Sequence, residues 1–325
     1  MTAKSIDVVC IGNAIVDVLT HVDDSFLDVH GMVKGSMQLI DDEAAVRIYE
    51  AMPPAIEASG GSAANTAAGI ASFGGTAAFI GKVAGDELGT VFTHDIRATG
   101  VRYEPLEPLA EGPTARCLIL VSPDAQRTMN TFLGVSSLIG PDDVDPDLIG
   151  QAQVTYCEGY LWDLPEAKKA LVKGMEAAAS TGGKVAFTLS DSFCVDRHRD
   201  EFRELAEQHV DILFANEAEI LSLYETDSFD EAVAKVAGHC DIACLTRSEK
   251  GSVIVTAANE RVVVEAAPST LVDTTGAGDL YAAGFLHGYT TGLDLAQSGR
   301  LASLAAGEVI SHMGARPEVV LSTLI

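Results

Sequence analysis

The sequence predicts an α/β protein, with a mostly parallel central sheet, helices on both of its faces and a small antiparallel β-structure set apart from it. Three observations predict it. From residue 151 onward, short apolar runs alternate with helical segments of about 10–15 residues, the pattern of strand-helix-strand crossovers. The chain opens on IDVVCIGN (6–13), a β-branched run ending in Gly12 that reads as a strand buried on both faces. Between 102 and 135 the alternation stops. There ARCLILVSP and QRTMNTFLG read as two strands joined by the turn Ser122-Pro123-Asp124-Ala125, with no helical pattern between them.

The elements follow in order. Residues 14–42 are mixed and loop-like, with Gly31 and Gly35. EASGGSAANTAAGIASFG (57–74) is a Gly-rich turn feeding an Ala-rich helix, which Ser62 or a neighbour is placed to cap. TAAFIGKVA (76–84) is the next strand, and DELGTVFTHDIRATG (86–100) is an amphipathic helix closed by Gly100. QVTYCEGY is a strand, and PEAKKALVKGMEAAASTGG is a helix with Pro165 in its first turn and Gly182-Gly183 at its end. KVAFTLSD is a strand, RHRDEFRELAEQH a helix, and VDILFANEAEI a strand running into a helix near Asn216. DIACLTRSEKGSVIVTA is strand, turn, strand, and the last two helices begin at Gly278 and near Leu293. No repeat, low-complexity tract or interdomain linker interrupts the 325 residues, which read as one domain.

Composition narrows the function. Lys and Arg total 21 against 47 Asp and Glu, a formal net charge of -26. Such a surface repels nucleic acid and anionic membranes. Phosphates can still be held by backbone amides and Mg²⁺. No apolar stretch reaches the roughly 18 residues of a membrane span, and the N-terminus lacks a secretory pattern, so a cytoplasmic protein is expected. The six cysteines sit mostly in apolar runs and read as buried free thiols of a reducing compartment. Cys240 and Cys244 lack a nearby His pair, which argues against zinc. Frequent Ala and Gly with only 6% aromatics point to close packing of helices.

The chemistry concentrates in DTTGAGDLYAAGFLHG (273–288). Gly276-Ala277-Gly278 lets backbone approach a ligand without Cβ obstruction. The first amides of the following helix have no intrahelical partner and carry the positive end of its dipole, a ready anion site. Asp279 stands beside that site, where a carboxylate repels bound phosphate. It is useful there as the acceptor of a proton from an attacking hydroxyl. An Asp at a helix start often only caps, but capping explains neither the glycines nor the polar triplet Asp273-Thr274-Thr275. No GxxxxGK[ST] occurs, and Tyr281 follows Gly278 where a dinucleotide fingerprint needs Gly or Ala, which disfavours P-loop and Rossmann enzymes.

DTTGAGD resembles the signature of the ribokinase-like sugar and nucleoside kinases, the phosphofructokinase B family. GGSAANTA (60–67) resembles their N-terminal signature, NEAE (216–219) their Asn-x-x-Glu motif, and TRSEKG (246–251) the strand-turn bordering their ATP site. The four occur in order along almost the whole chain. The resemblance implies a ribokinase-like fold with a small antiparallel β lid from about 14–42 and 102–135. It implies an ATP-dependent kinase acting on a small-molecule alcohol, with Asp279 as general base and the amides of Thr275, Gly276, Ala277 and Gly278 as the anion hole. Asn216, Thr246, Gly251 and Thr275 would bind ATP. Glu219 would organise Mg²⁺ through water. Asp273 and Thr275 match positions that bind a monovalent cation, such as K⁺, in many relatives. Asn13, Asp17, Gly60, Gly61 and Asn65 would hold a sugar's hydroxyls, and Arg127 on the lid hairpin is a candidate phosphate contact.

GNAIVD (12–17) and RTMNTFLGVSS (127–137) resemble the adenosine kinase branch, and Gln38 resembles a position near the purine. The resemblance therefore implies a nucleoside acceptor, adenosine to AMP, with Phe132 and Trp162 as candidates for stacking on the base. A ribose- or fructose-type sugar is the alternative acceptor. A non-catalytic sugar- or nucleotide-sensing protein on the same fold is the alternative of another class, and the intact Asp279 argues against it. The expected assembly is a monomer or homodimer.

Overall fold

A computed structural model describes residues 4–106, 111–124 and 126–325. The start of the chain, part of the 102–135 segment and Ala125 of its turn thus lie outside the described residues. In chain order the strands are β1 (Ile6–Ile11), β2 (Ile15–His21), β3 (Met37–Leu39), β4 (Ile56–Gly60), β5 (Ala77–Ile80), β6 (Arg102–Tyr103) and β7 (Ala115–Val121). They continue as β8 (Arg127–Phe132), β9 (Ala152–Glu158), β10 (Lys184–Thr188), β11 (Ile212–Asn216), β12 (Ile242–Thr246), β13 (Ser252–Thr256) and β14 (Arg261–Val264).

Among the described residues, nine strands form the large sheet in the order β14-β13-β12-β11-β10-β9-β1-β5-β6. All neighbours in it are parallel except the β12-β13-β14 meander. Alternate residues serve opposite faces. Val8, Cys10, Val154, Tyr156 and Phe214 pack with helices Ser62–Ser72, Glu87–Ala98, Ala277–Thr290 and Leu295–Val309. Val9, Ile11, Cys157, Phe187 and Leu213 pack with helices Pro165–Ser180, Ser192–Gln208, Glu217–Tyr224 and Phe229–Val236. This double cover is why the strands read as continuous apolar runs. All six cysteines are buried and free. No helix among the described residues is long and apolar enough to cross a membrane.

Five strands form the second sheet, in the order β3-β8-β7-β2-β4. The expected hairpin is there, with β7 and β8 antiparallel and Cys117 opposite Thr131. β2 and β4 are also antiparallel, while β2-β7 and β3-β8 run parallel. Two readings change. The 14–42 segment is not loop-like, because β2 and β3 lie in it. Ile56–Gly60, read as a turn, is a strand of the small sheet, whereas Arg102–Tyr103 pairs with β5 at the edge of the large one. β2 shows the half-buried alternation, with Val16, Val18 and Thr20 inward.

β1 lies between β5 and β9, so the chain leaves it in opposite directions across the sheet. The crevice outside the carboxyl ends of parallel strands at such a point is where α/β sheets bind ligands. The small sheet stands over that crevice, because β1 passes into β2 through only Gly12, Asn13 and Ala14.

Candidate active site

Two cavities open at this crevice. The first, of about 390 Å³, is lined by Asp17, Asn65, Asn216, Glu219, Thr246, Thr275 and Asp279, among others. Gly61, Gly276, Ala277 and Gly278 line it too. The second, of about 420 Å³, contains Asn13 and Gln38, and shares Ile15, Ser62, Thr131 and Tyr160 with the first.

Small residues bring Asp279 to its place. Helices Ser62–Ser72 and Ala277–Thr290 touch through Gly69, where a methyl group would lie 2.6 Å from the Ala283 Cβ. One turn earlier on each helix stand Asn65 and Asp279. Asn65 Nδ2 donates to Asp279 Oδ2 at 3.0 Å, and Ser62 Oγ donates to Asp279 Oδ1 at 2.6 Å. Burial pushes the Asp279 carboxyl above its ordinary range, while these two hydrogen bonds and the Arg316 charge act the other way. An ionised acid held by two donors in a cleft is equipped to take a proton.

Gly276 caps the helix at φ +78°, and a Cβ there would sit 2.8 Å from the Ala315 backbone, so both its conformation and its space call for glycine. The anion hole is narrower than the resemblance implied. The Thr275 amide donates to Asp273 Oδ1 at 3.1 Å, and the Ala277 amide to the Thr274 carbonyl at 3.2 Å. Gly276 and Gly278 are left to offer amides to the cleft.

The cation reading of Asp273 meets a carboxylate already engaged. Arg127 Nη2 reaches it at 2.8 Å, both side chains being 7% exposed, and Gly314 N donates to the same oxygen at 3.0 Å. Arg127 Nη1 also donates to Thr275 Oγ1 at 3.3 Å. Arg127 therefore ties β8 of the small sheet to the turn before the Asp279 helix.

Asn216 and Glu219 form a reciprocal cap. Glu219 N donates to Asn216 Oδ1 at 2.9 Å, and Asn216 N donates to Glu219 Oε2 at 2.9 Å. Glu219 is buried, and desolvation lifts its pKa to about 7. Asp17 extends from β2 beside Gly60, where a Cβ would lie 2.3 Å from Asp17 Oδ2. Burial first, with Asp279 nearby, pushes Asp17 up to about 6 against the pull of Arg316 and Arg127. Gly251 is not in either cavity; at φ +77° it closes the β12-β13 turn, accepting from Arg247 N at 2.8 Å. Ser62 does not cap its own helix, whose first turn gives the Ala63 amide to Glu158 Oε2 at 2.9 Å.

Glu158, Tyr160 and Arg316 escaped the sequence reading. Glu158, at the end of β9, also accepts from Asn13 N and Nδ2, both at 2.7 Å. Its place as the one acid closing an apolar strand beside the crevice was an available signal. The stacking candidates are displaced as well. Trp162 is core, edge-on to Phe187 and Phe202, and Phe132 lines neither of the two cavities. Tyr160 is the aromatic that lines both cavities, its hydroxyl donating to the Ser190 carbonyl at 3.2 Å. Ser190, also in the first cavity, holds φ +73°, a strained backbone position of the kind found at ligand sites.

A crevice at the carboxyl edge of a parallel sheet, roofed by a small β-sheet and floored by an amide-rich helix start beside an acid, defines a phosphotransferase of the sugar and nucleoside kinase class. The pfkB family carbohydrate kinase model matches residues 55–320, and the chain belongs to that family. It is an ATP-dependent kinase with an alcohol group as acceptor. An adenosine kinase structure from Sinorhizobium meliloti is 54% identical, with TM-score 0.90 over 99% of this chain and 98% of that one. A probable sugar kinase from Rhizobium etli CFN 42 is 51% identical, with TM-score 0.92 over the same shares. A 5-dehydro-2-deoxygluconokinase of Bacillus subtilis is 27% identical over 78% of this chain and 80% of its own.

Proposed function

We propose that this kinase phosphorylates the primary hydroxyl of a nucleoside, adenosine to AMP. The observation that carries the reading is the second cavity. A pentose placed among Asp17, Gly61 and Asn65 leaves about 420 Å³ next to it, lined by Met37, Gln38, Leu39, Leu133, Tyr160 and Phe193 around Asn13. Those apolar and aromatic side chains offer faces to a planar base, and Asn13, Gln38, Asp163, Asp191 and Arg197, which also line the cavity, offer hydrogen-bonding groups to its edges. A bare sugar leaves it unfilled.

In this reading the acceptor hydroxyl gives its proton to Asp279 as its oxygen bonds to the γ-phosphorus. The bond from that phosphorus to the β,γ-bridging oxygen breaks, and ADP leaves. Amides of Gly276 and Gly278 take the charge that develops on the transferred group. Asp17 accepts hydrogen bonds from the sugar hydroxyls, and Asn216, Thr246 and Thr275 lie toward the nucleotide. Among the described residues no three His, Cys, Asp or Glu side chains gather as a metal cage. Glu219, at the cleft wall, suits an outer role toward a Mg²⁺ that keeps its waters and rides on the phosphates. When bound, that ion would neutralise phosphate charge. A monovalent cation bound by the Asp273 carboxylate would compete with Arg127. The small sheet acts as the lid that excludes water. Six buried free thiols suit a reducing, cytoplasmic setting.

The names of the sugar kinase relatives favour a second reading, a sugar acceptor. ADP release in the presence of adenosine, inosine, ribose or fructose separates them. Adenosine is expected to give the highest kcat/KM; a preference for ribose or fructose would replace the nucleoside reading with the sugar one.

A further inference from the structure

We propose that Arg316 is a positioning residue for the catalytic base, fixing the Asn65 amide so that it donates to Asp279; this rests on the reading of Asp279 as the base. Arg316 Nε donates to Asn65 Oδ1 at 2.7 Å, and Asn65 Nδ2 donates to Asp279 Oδ2 at 3.0 Å. A guanidinium has donors and no acceptor. It can face the oxygen of a primary amide but not the NH₂. With its oxygen claimed on one side, the Asn65 amide must turn its NH₂ to the other, where Asp279 lies. The reversed amide would set its oxygen against a carboxylate. Asn65 is 4% exposed, and Arg316 and Asp279 are the hydrogen-bond partners at the two ends of its amide.

Arg316 acts through Asn65 and not on the acceptor itself. Its neighbour Ala315 lines the first cavity, and Arg316 lines neither. Its Nη2 is buried without a partner, so this cation is kept in place without full pairing, which calls for a role.

The charges around the base make the role asymmetric. Asp279 faces Asp17 from β2, Tyr156 and Glu158 from β9, and Tyr160 from the turn after it. Arg316 itself faces Asp17 first, then Asp279 and then Asp95 of helix Glu87–Ala98, and Arg127 from β8 acts on Asp17 as well. Arg316 is the cation acting on Asp279 amid these acids and phenols. Its removal leaves the base surrounded by groups that oppose ionisation, and frees the amide to turn.

The test is the pH profile of kcat/KM for ATP-dependent phosphorylation of adenosine, or of whichever of inosine, ribose and fructose turns over. Arg316→Met is expected to move the acid limb upward by about 1 pH unit, the usual scale for one nearby charge, and to lower kcat about tenfold near neutral pH. Arg316→Lys, which keeps the charge, should restore most of the limb. KM for ATP should stay near wild type, which general disruption of the fold would not leave untouched. If Arg316→Met melts below the assay temperature, Arg316→Gln carries the same reading. A folded variant without the cation but with the wild-type acid limb overturns the proposal. Asp279→Asn separates the two claims. If it retains turnover, the base reading falls and this inference with it. If it is inactive while the Arg316 variants keep the wild-type limb, only the positioning role falls.

Discussion

Glu158 shows how one buried acid can serve a site and burden a fold. It is 1% exposed, yet its oxygens hold the Asn13 amide, the Asn13 side chain and the first turn of helix Ser62–Ser72. Burial, the largest influence, together with the Asp279 charge, lifts its pKa to about 7, although the Asn13 and Ala63 hydrogen bonds pull down. The folded state thus binds this proton more tightly than the unfolded chain does. The resulting stabilisation is whole below the ordinary glutamate range and is lost as pH rises through about 7. Glu158→Gln lacks that proton and gives up an acceptor. Its melting temperature should fall short of wild type at pH 5, with the gap narrowing toward pH 8. Thermal unfolding across that range checks this, and a gap that widens with pH contradicts it. Asp279, Glu219 and Asp17 carry the same upward shift from burial. Acids kept in this state cluster where chemistry is done.

At the scale of elements, the pairing of helices Ser62–Ser72 and Ala277–Thr290 decides where the base stands. Gly69 meets the Ala283 and Leu280 side chains, so a Cβ at that point would collide between these two helices, and Gly284 meets the Leu301 carbonyl of helix Leu295–Val309. Gly69→Ala should therefore cost about 1–3 kcal/mol of stability, the range for overpacking, and should also lower kcat by displacing Asp279 from Asn65. Denaturant unfolding and steady-state kinetics on one preparation check both, and normal kcat in a destabilised variant would separate packing from catalysis. The Ala and Gly content that announced this packing was legible because it is local. So were the strands of the large sheet, since burial on both faces writes continuous apolar runs. β2 was missed because Asp17 and the outward alternation break its run, and β4 because EASG reads as a turn until β2 pairs with it. Arg316 was beyond local reasoning, as its partner Asn65 is 251 residues away.

Across the whole molecule, one crevice gathers residues from both ends of the chain. Asn13 and Asp17 come from its start, Asn216 and Thr246 from the carboxyl edge of the sheet, and Asp279 and Ala315 from its end. Arg127 joins the small sheet to the anion turn through Asp273, a buried ion pair between the roof and the floor of the site. The motifs marked most of this site in advance, because capping alone explains neither the glycines before Asp279 nor the polar triplet before them. The second cavity was marked only by Asn13 and Gln38, since Tyr160 and Phe193 join them only in the fold. The central claim is that Asp279 takes the acceptor's proton while neighbouring amides hold the migrating phosphoryl group. Single-turnover phosphorylation by Asp279→Asn, with ATP binding measured on the same sample, tests it most directly. The account predicts a rate lower by roughly 10²–10⁴ with ATP affinity retained. A rate near wild type contradicts it.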